Sequence, residues 1–137
     1  MESYHQPQDL HIMYVTADSF PEGIEAAFKK LERLIGGSSN REFFGLSKPD
    51  RGTIVYRAGV LRLNPEEATP YGLETYIMER GNYITLTVYN FMDNIQAIGS
   101  AFQQLLHTHQ LDPVAWCIER YIGNDVICMV KLRDKPE

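Results

Sequence analysis

The sequence predicts an α+β domain made of two βαββ units related by a pseudo-twofold axis. Three observations carry this. The line Ile24-Glu25-Ala26-Ala27-Phe28-Lys29-Lys30-Leu31 comes back as Ile98-Gly99-Ser100-Ala101-Phe102-Gln103-Gln104-Leu105, with Ile, Ala, Phe and Leu in register. An apolar, β-branched stretch precedes each copy and two more follow it. Corresponding stretches are displaced by about 71–74 residues. One helix per unit on antiparallel hairpins is an α+β arrangement, and a cleft between like halves is a place where small molecules bind.

In chain order, residues 10–16 read as a strand. Ser19-Phe20-Pro21-Glu22 fits a capping box with Pro in the first turn. Phe20, Ile24, Ala27, Phe28, Leu31, Leu34 and Ile35 form a helical stripe, ended by Gly36-Gly37. Residues 42–47 and 53–63 read as strands around a turn at Pro49-Asp50-Arg51-Gly52. Repeat one therefore covers about residues 10–63. Residues 64–73, with two Pro, one Gly and two Glu, connect the repeats. Repeat two covers about residues 74–132. It starts with a long strand or bent strand over 74–89, bulged at Gly81-Asn82. Asp93 caps a helix whose stripe is Ile95, Ile98, Phe102, Leu105 and Leu106. After Asp112-Pro113, residues 116–122 and 125–132 form a hairpin around Gly123-Asn124. The whole chain, 1–137, reads as a single domain with a groove between its halves.

Composition excludes several function classes. Of the 137 residues 44% are hydrophobic and 23% charged, which is ordinary for a globular domain. The formal net charge is −5 and no basic run exceeds two residues, so the footprint of a nucleic-acid binder is missing. No apolar stretch spans a bilayer and the N-terminus does not read as a signal peptide, so a cytoplasmic location is expected. Cys117 and Cys128 read as free thiols, not directly opposite each other. His107 and His109, two apart on a helix, do not face one another. With no Cys/His cluster, phosphate loop or nucleophile elbow, neither a metal site nor a cofactor is expected.

Strand alternation selects the candidate site. Ile84, Leu86 and Val88 belong under the second helix, which leaves Tyr83, Thr85, Thr87 and Tyr89 for the groove. By the same logic Cys117, Glu119 and Tyr121 point into the groove, while Ile118 and Ile122 share the other face with Trp116, which packs under the helix or rims the groove with its indole. Glu119 stands out because a mid-strand carboxylate is costly to bury without a partner. It can recognise a cationic or hydrogen-bonding ligand, act as a general acid or base, or simply face solvent beside Arg120 or Lys131. Tyr14, Tyr56, Tyr83, Tyr89 and Tyr121 all fall in predicted strands, where Tyr packs well but also suits cationic or apolar ligands. At an offset of 74 residues Glu119 corresponds to Gly45 and Tyr121 to Ser47, so the site is asymmetric.

These patterns come in an order that resembles the gyrase-inhibitor-like (GyrI-like) effector-binding domains, which also occur attached to bacterial transcription regulators. The residues are Phe44-Gly45-Leu46-Ser47, Tyr56-Arg57-Ala58-Gly59-Val60, Gly81-Asn82-Tyr83, Ile118-Glu119-Arg120-Tyr121 and the closing Asp125-Val126 to Val130-Lys131-Leu132 strand. The resemblance covers about residues 10–132. It implies a pocket for small, often cationic or aromatic, molecules, as in multidrug recognition. The pocket glutamate would be Glu119, with walls from Tyr121, Tyr83, Tyr89, Tyr56, Phe44, Tyr14 and Trp116. Some members hydrolyse strained cyclopropane-containing drugs and others bind gyrase. This chain shows no DNA-binding segment, which argues against direct transcriptional control. The expectation is a stand-alone small-molecule-binding protein. The alternatives are a hydrolase with Glu119 as general base, or a partner of a topoisomerase or regulator.

Overall fold

A computed structural model describes residues 1–38 and 40–134. In chain order its elements are β1 (Glu2–Gln6), β2 (Leu10–Thr16), α1 (Ile24–Ile35), β3 (Phe43–Asp50), β4 (Thr53–Leu61), α2 (Ala68–Tyr71), β5 (Glu74–Met78), β6 (Gly81–Val88), a 3-10 turn (Phe91–Asp93), α3 (Gln96–Leu105), β7 (Cys117–Ile122) and β8 (Asp125–Lys131). The protein is thus α+β, with eight strands and three α-helices among the described residues. No helix among them is long and apolar enough to cross a membrane. The chain forms two compact units, Leu10–Met78 and Met1–Asp9 together with the chain from Glu79 onward.

In the Leu10–Met78 unit the strands lie in the order β3-β4-β2-β5, all antiparallel. Arg51 (φ 53°) and Gly52 (φ 85°) make the two-residue turn from β3 to β4. Two positive φ values in succession suit the right-handed twist of the flanking strands. Pro49 lies within β3, opposite Ile54, and not in the turn. The face carrying Met13, Val15, Tyr56, Ala58 and Val60 packs against Ala27 and Leu31 of α1. Gly36, at φ 82°, ends α1 as expected of a left-handed C-cap. The helix starts later than the capping box predicts. Residues 20–23 form a turn in which the Gly23 N–H donates to the Ser19 carbonyl, and the first helical residue is Ile24. The 64–73 connection contains the short helix α2. It is clamped by Arg41, whose guanidinium bonds both carboxylate oxygens of Glu67 at 3.0 and 3.1 Å.

In the other unit the order is β1-β6-β8-β7, again antiparallel. The long or bent strand expected over 74–89 is two strands. Met78 ends β5 opposite Leu10, whereas Gly81 begins β6 opposite Gln6, so the chain changes partners at Glu79-Arg80. Asp9 holds this junction by accepting the Arg80 N–H at 2.7 Å. Asp93 sits in the 3-10 turn and does not cap α3. Ala101, Phe102 and Leu105 are the buried side of α3, while Ile95 and Leu106 at its ends are exposed. They pack on Val88, Val126, Cys128 and Val130, with Ile84 and Leu86 beside them. The β7–β8 hairpin turns at Gly123 (φ 58°).

Candidate functional site

The site is built on β7 and β8 of the second unit. Glu119 pairs with Cys128, and Cys128 pairs with Leu86 of β6. Directly opposed residues share a face, and Cys128 belongs to the cluster beneath α3, with Leu86 packed against it. Glu119 therefore points to the helix side. Cys117 and Tyr121, two residues either way, pack against the same cluster.

This corrects the sequence reading of β7, which put the helix on the Trp116, Ile118 and Ile122 side. The expectation for Ile84, Leu86 and Val88 in β6 holds. A polar residue between two apolar ones leaves the direction of the alternation open, and the pairing of Glu119 with Cys128 beneath α3 decides it. The place under α3 expected for Trp116 falls to Cys117 and Tyr121; Trp116 is half-buried just before β7.

Glu119 is only 9% exposed. The Tyr121 hydroxyl donates a hydrogen bond to its Oε1. The two thiols are close enough to respond to the carboxylate. Burial first, and the Glu119 charge second, push Cys117 up to about 11 and Cys128 up to about 12. Both remain neutral thiols at physiological pH, which makes them small apolar neighbours and not nucleophiles. The site thus has a carboxylate in a mostly apolar layer, addressed by a phenol. In such surroundings the field of the carboxylate is screened less than in water. It can accept a hydrogen bond from an ammonium or amidinium group, or take a proton from water.

The remaining candidates lie elsewhere. Tyr83 is three residues from Leu86 and so on the opposite face from Glu119. It is buried, and its hydroxyl donates to the Glu79 carbonyl at 2.6 Å. Tyr89 is 71% exposed, just beyond β6. In the Leu10–Met78 unit Tyr56 is core, with the rings of Phe20 and Phe28 within 6.0 and 6.3 Å. Phe44 and Tyr14 both stand opposite Gly59, on the face away from α1.

Sequence reasoning missed the groups around Tyr14. Its hydroxyl donates to Glu74 Oε2 at 2.6 Å, and the Arg57 guanidinium lies 4.2 Å from its ring centroid. Burial, then the bond to Glu74, raises the Tyr14 pKa, with Arg57 opposing. The signal lay in the pairing of residue 14 with 74, hidden while 74–89 was read as one strand. It also missed Phe91, whose ring meets Tyr121. No group of three His, Cys, Asp or Glu side chains able to hold a metal occurs among the described residues.

No protein-family model matches this chain, and no curated protein does. Solved structures show similar folds. An integron cassette protein from the mobile metagenome of Vibrio cholerae has 12% identity and a TM-score of 0.59, over 97% of this chain and 100% of that one. A hydrolase from Listeria innocua has 10% identity and a TM-score of 0.54, over 96% of this chain and 90% of that one. At these identities the likeness is one of fold.

Proposed function

We propose that this protein binds a small organic molecule, cationic or aromatic, at Glu119 and Tyr121, in the manner of the GyrI-like domains it resembles. The observation that carries the reading is the buried mid-strand carboxylate on a tyrosine hydroxyl. Burying a charge costs several kcal/mol unless other groups compensate. In these weakly screened surroundings a ligand cation gains an attraction to the carboxylate that a neutral analogue lacks, which is a source of specificity. We further read β2–α1–β3–β4 and β6–α3–β7–β8 as two copies of one βαββ unit. In support, α1 and α3 bury residues at matching positions, Ala27 and Leu31 in one and Ala101 and Leu105 in the other.

The test is a calorimetric titration of planar organic cations into wild type, Glu119→Gln and Tyr121→Phe. Glu119→Gln should weaken binding at least about tenfold, the equivalent of about 1.4 kcal/mol. Equal affinity in wild type and Glu119→Gln would remove the carboxylate from the account.

A second reading is a hydrolase, favoured by the same pair. Glu119 would take a proton from water as the water oxygen bonds to a strained-ring carbon; the ring bond to that carbon would break, and the departing ring atom, keeping its electron pair, would take the proton back from Glu119 while the Tyr121 hydroxyl steadies the developing charge. One fold neighbour is a hydrolase. Incubation with strained-ring electrophiles should then give product that disappears in Glu119→Gln. Binding without turnover rejects this reading and leaves the first.

A further inference from the structure

The Phe91 ring stands against that of Tyr121, centroids 5.2 Å apart and planes at 60°. This is the edge-to-face contact that aromatic pairs favour. The same Tyr121 bonds Glu119, so Phe91 is one aromatic ring away from the carboxylate.

Phe91 packs against the cluster beneath α3, on a short segment whose other apolar side chains are exposed. It opens the single 3-10 turn Phe91–Asp93, preceded by Asn90 in the left-handed region at φ 49°. Two backbone donors tie the turn to the β7–β8 hairpin: Phe91 N–H to the Asn124 carbonyl at 3.1 Å and Asn90 N–H to Asp125 Oδ1 at 3.0 Å. Its neighbours Tyr89 and Met92 are each 71% exposed and Ile95 is 59% exposed. Segments with few buried apolar groups and little laddering open more readily than the strands beside them.

We infer that Phe91 is a specificity-determining residue of the Glu119 site. Its ring takes a stacking position on Tyr121 that a planar aromatic cation would use, and its turn must swing aside before such a ligand stacks there. The inference rests on the proposed binding role. It sorts cations by shape: a flat aromatic cation competes with Phe91, and a compact aliphatic one does not.

The experiment titrates proflavine and tetramethylammonium into wild type, Phe91→Ala, Phe91→Leu and Glu119→Gln. Both Phe91 variants should bind proflavine roughly three- to tenfold more tightly and tetramethylammonium within about twofold of wild type. Glu119→Gln should lose both. Weaker proflavine binding, or equal change for both cations, overturns the role of Phe91 and leaves the pocket standing. If neither wild type nor the Phe91 variants bind either cation, the pocket reading falls and this inference with it. Amide exchange of the ligand-free protein adds an independent check. The Asn90 and Phe91 amides should exchange at least about a hundredfold faster than those of β8. Protection equal to β8 overturns the movable turn.

Discussion

Burial first, and the Glu119 carboxylate directly across from Cys128 second, set how the thiols respond to pH. An unfolded thiol titrates near about 8.5. The folded thiols titrate higher, Cys117 at about 11 and Cys128 at about 12. Their contribution to stability is therefore complete below the unfolded value and is lost as pH rises through the folded values. Urea unfolding should show stability falling from about pH 8.5 to about pH 12, and the Cys117→Ala/Cys128→Ala variant should fall less. Parallel curves for the two proteins would refute it. Native thiols should also resist alkylation at neutral pH. Gly59 carries a steric prediction: a Cβ there would lie 2.5 Å from Ile12 Cγ2, and Ile12 is fully buried. Gly59→Ala should cost about 1–3 kcal/mol in a urea melt; a neutral result would mean that Ile12 can move aside.

Among the elements, the β3–β4 hairpin and the 64–73 connection depend on a few side chains. Arg51 holds φ 53°, where a Cβ is disfavoured and Asn or Gly is preferred. Arg51→Asn should raise the thermal midpoint, by about 0.5–1 kcal/mol in stability. Glu67 accepts both Arg41 and the Leu63 N–H at 2.7 Å, and the Arg41 and Glu67 side chains are 10% and 9% exposed. Arg41→Met would leave a buried carboxylate without its cation and should cost about 3–5 kcal/mol. The Arg41→Met/Glu67→Leu pair should recover part of that loss. A single-variant cost under about 1 kcal/mol would mean that solvent reaches Glu67. The Arg41–Glu67 clamp was not legible in the sequence, because the partnership spans 26 residues with no periodic signal. The stripe of α1 was legible, since Ile24, Ala27, Phe28 and Leu31 repeat at the helical period. Its start was not, because the turn at 20–23 holds the residues that resemble a cap.

For the whole molecule, the N-terminal strand belongs with the distant chain. β1 pairs with β6, Gln6 opposite Gly81, while Leu10–Met78 closes on itself through β2 and β5. Removal of residues 1–9 should speed amide exchange in β6 and leave β2 and β4 protected. Equal loosening of both would contradict the division. The helices α1 and α3, the β3–β4 and β7–β8 hairpins and the α3-facing set of β6 could be read from the sequence alone. Periodicity, turn residues and a misplaced carboxylate are local properties, written in neighbouring residues. Only the tertiary structure decided the face on which Glu119 lies, the break at Glu79-Arg80 that gives Glu74 to Tyr14, and the placing of Phe91 on Tyr121. Those follow from which strands pair and which side a helix covers. Packing between residues far apart in the chain settles both.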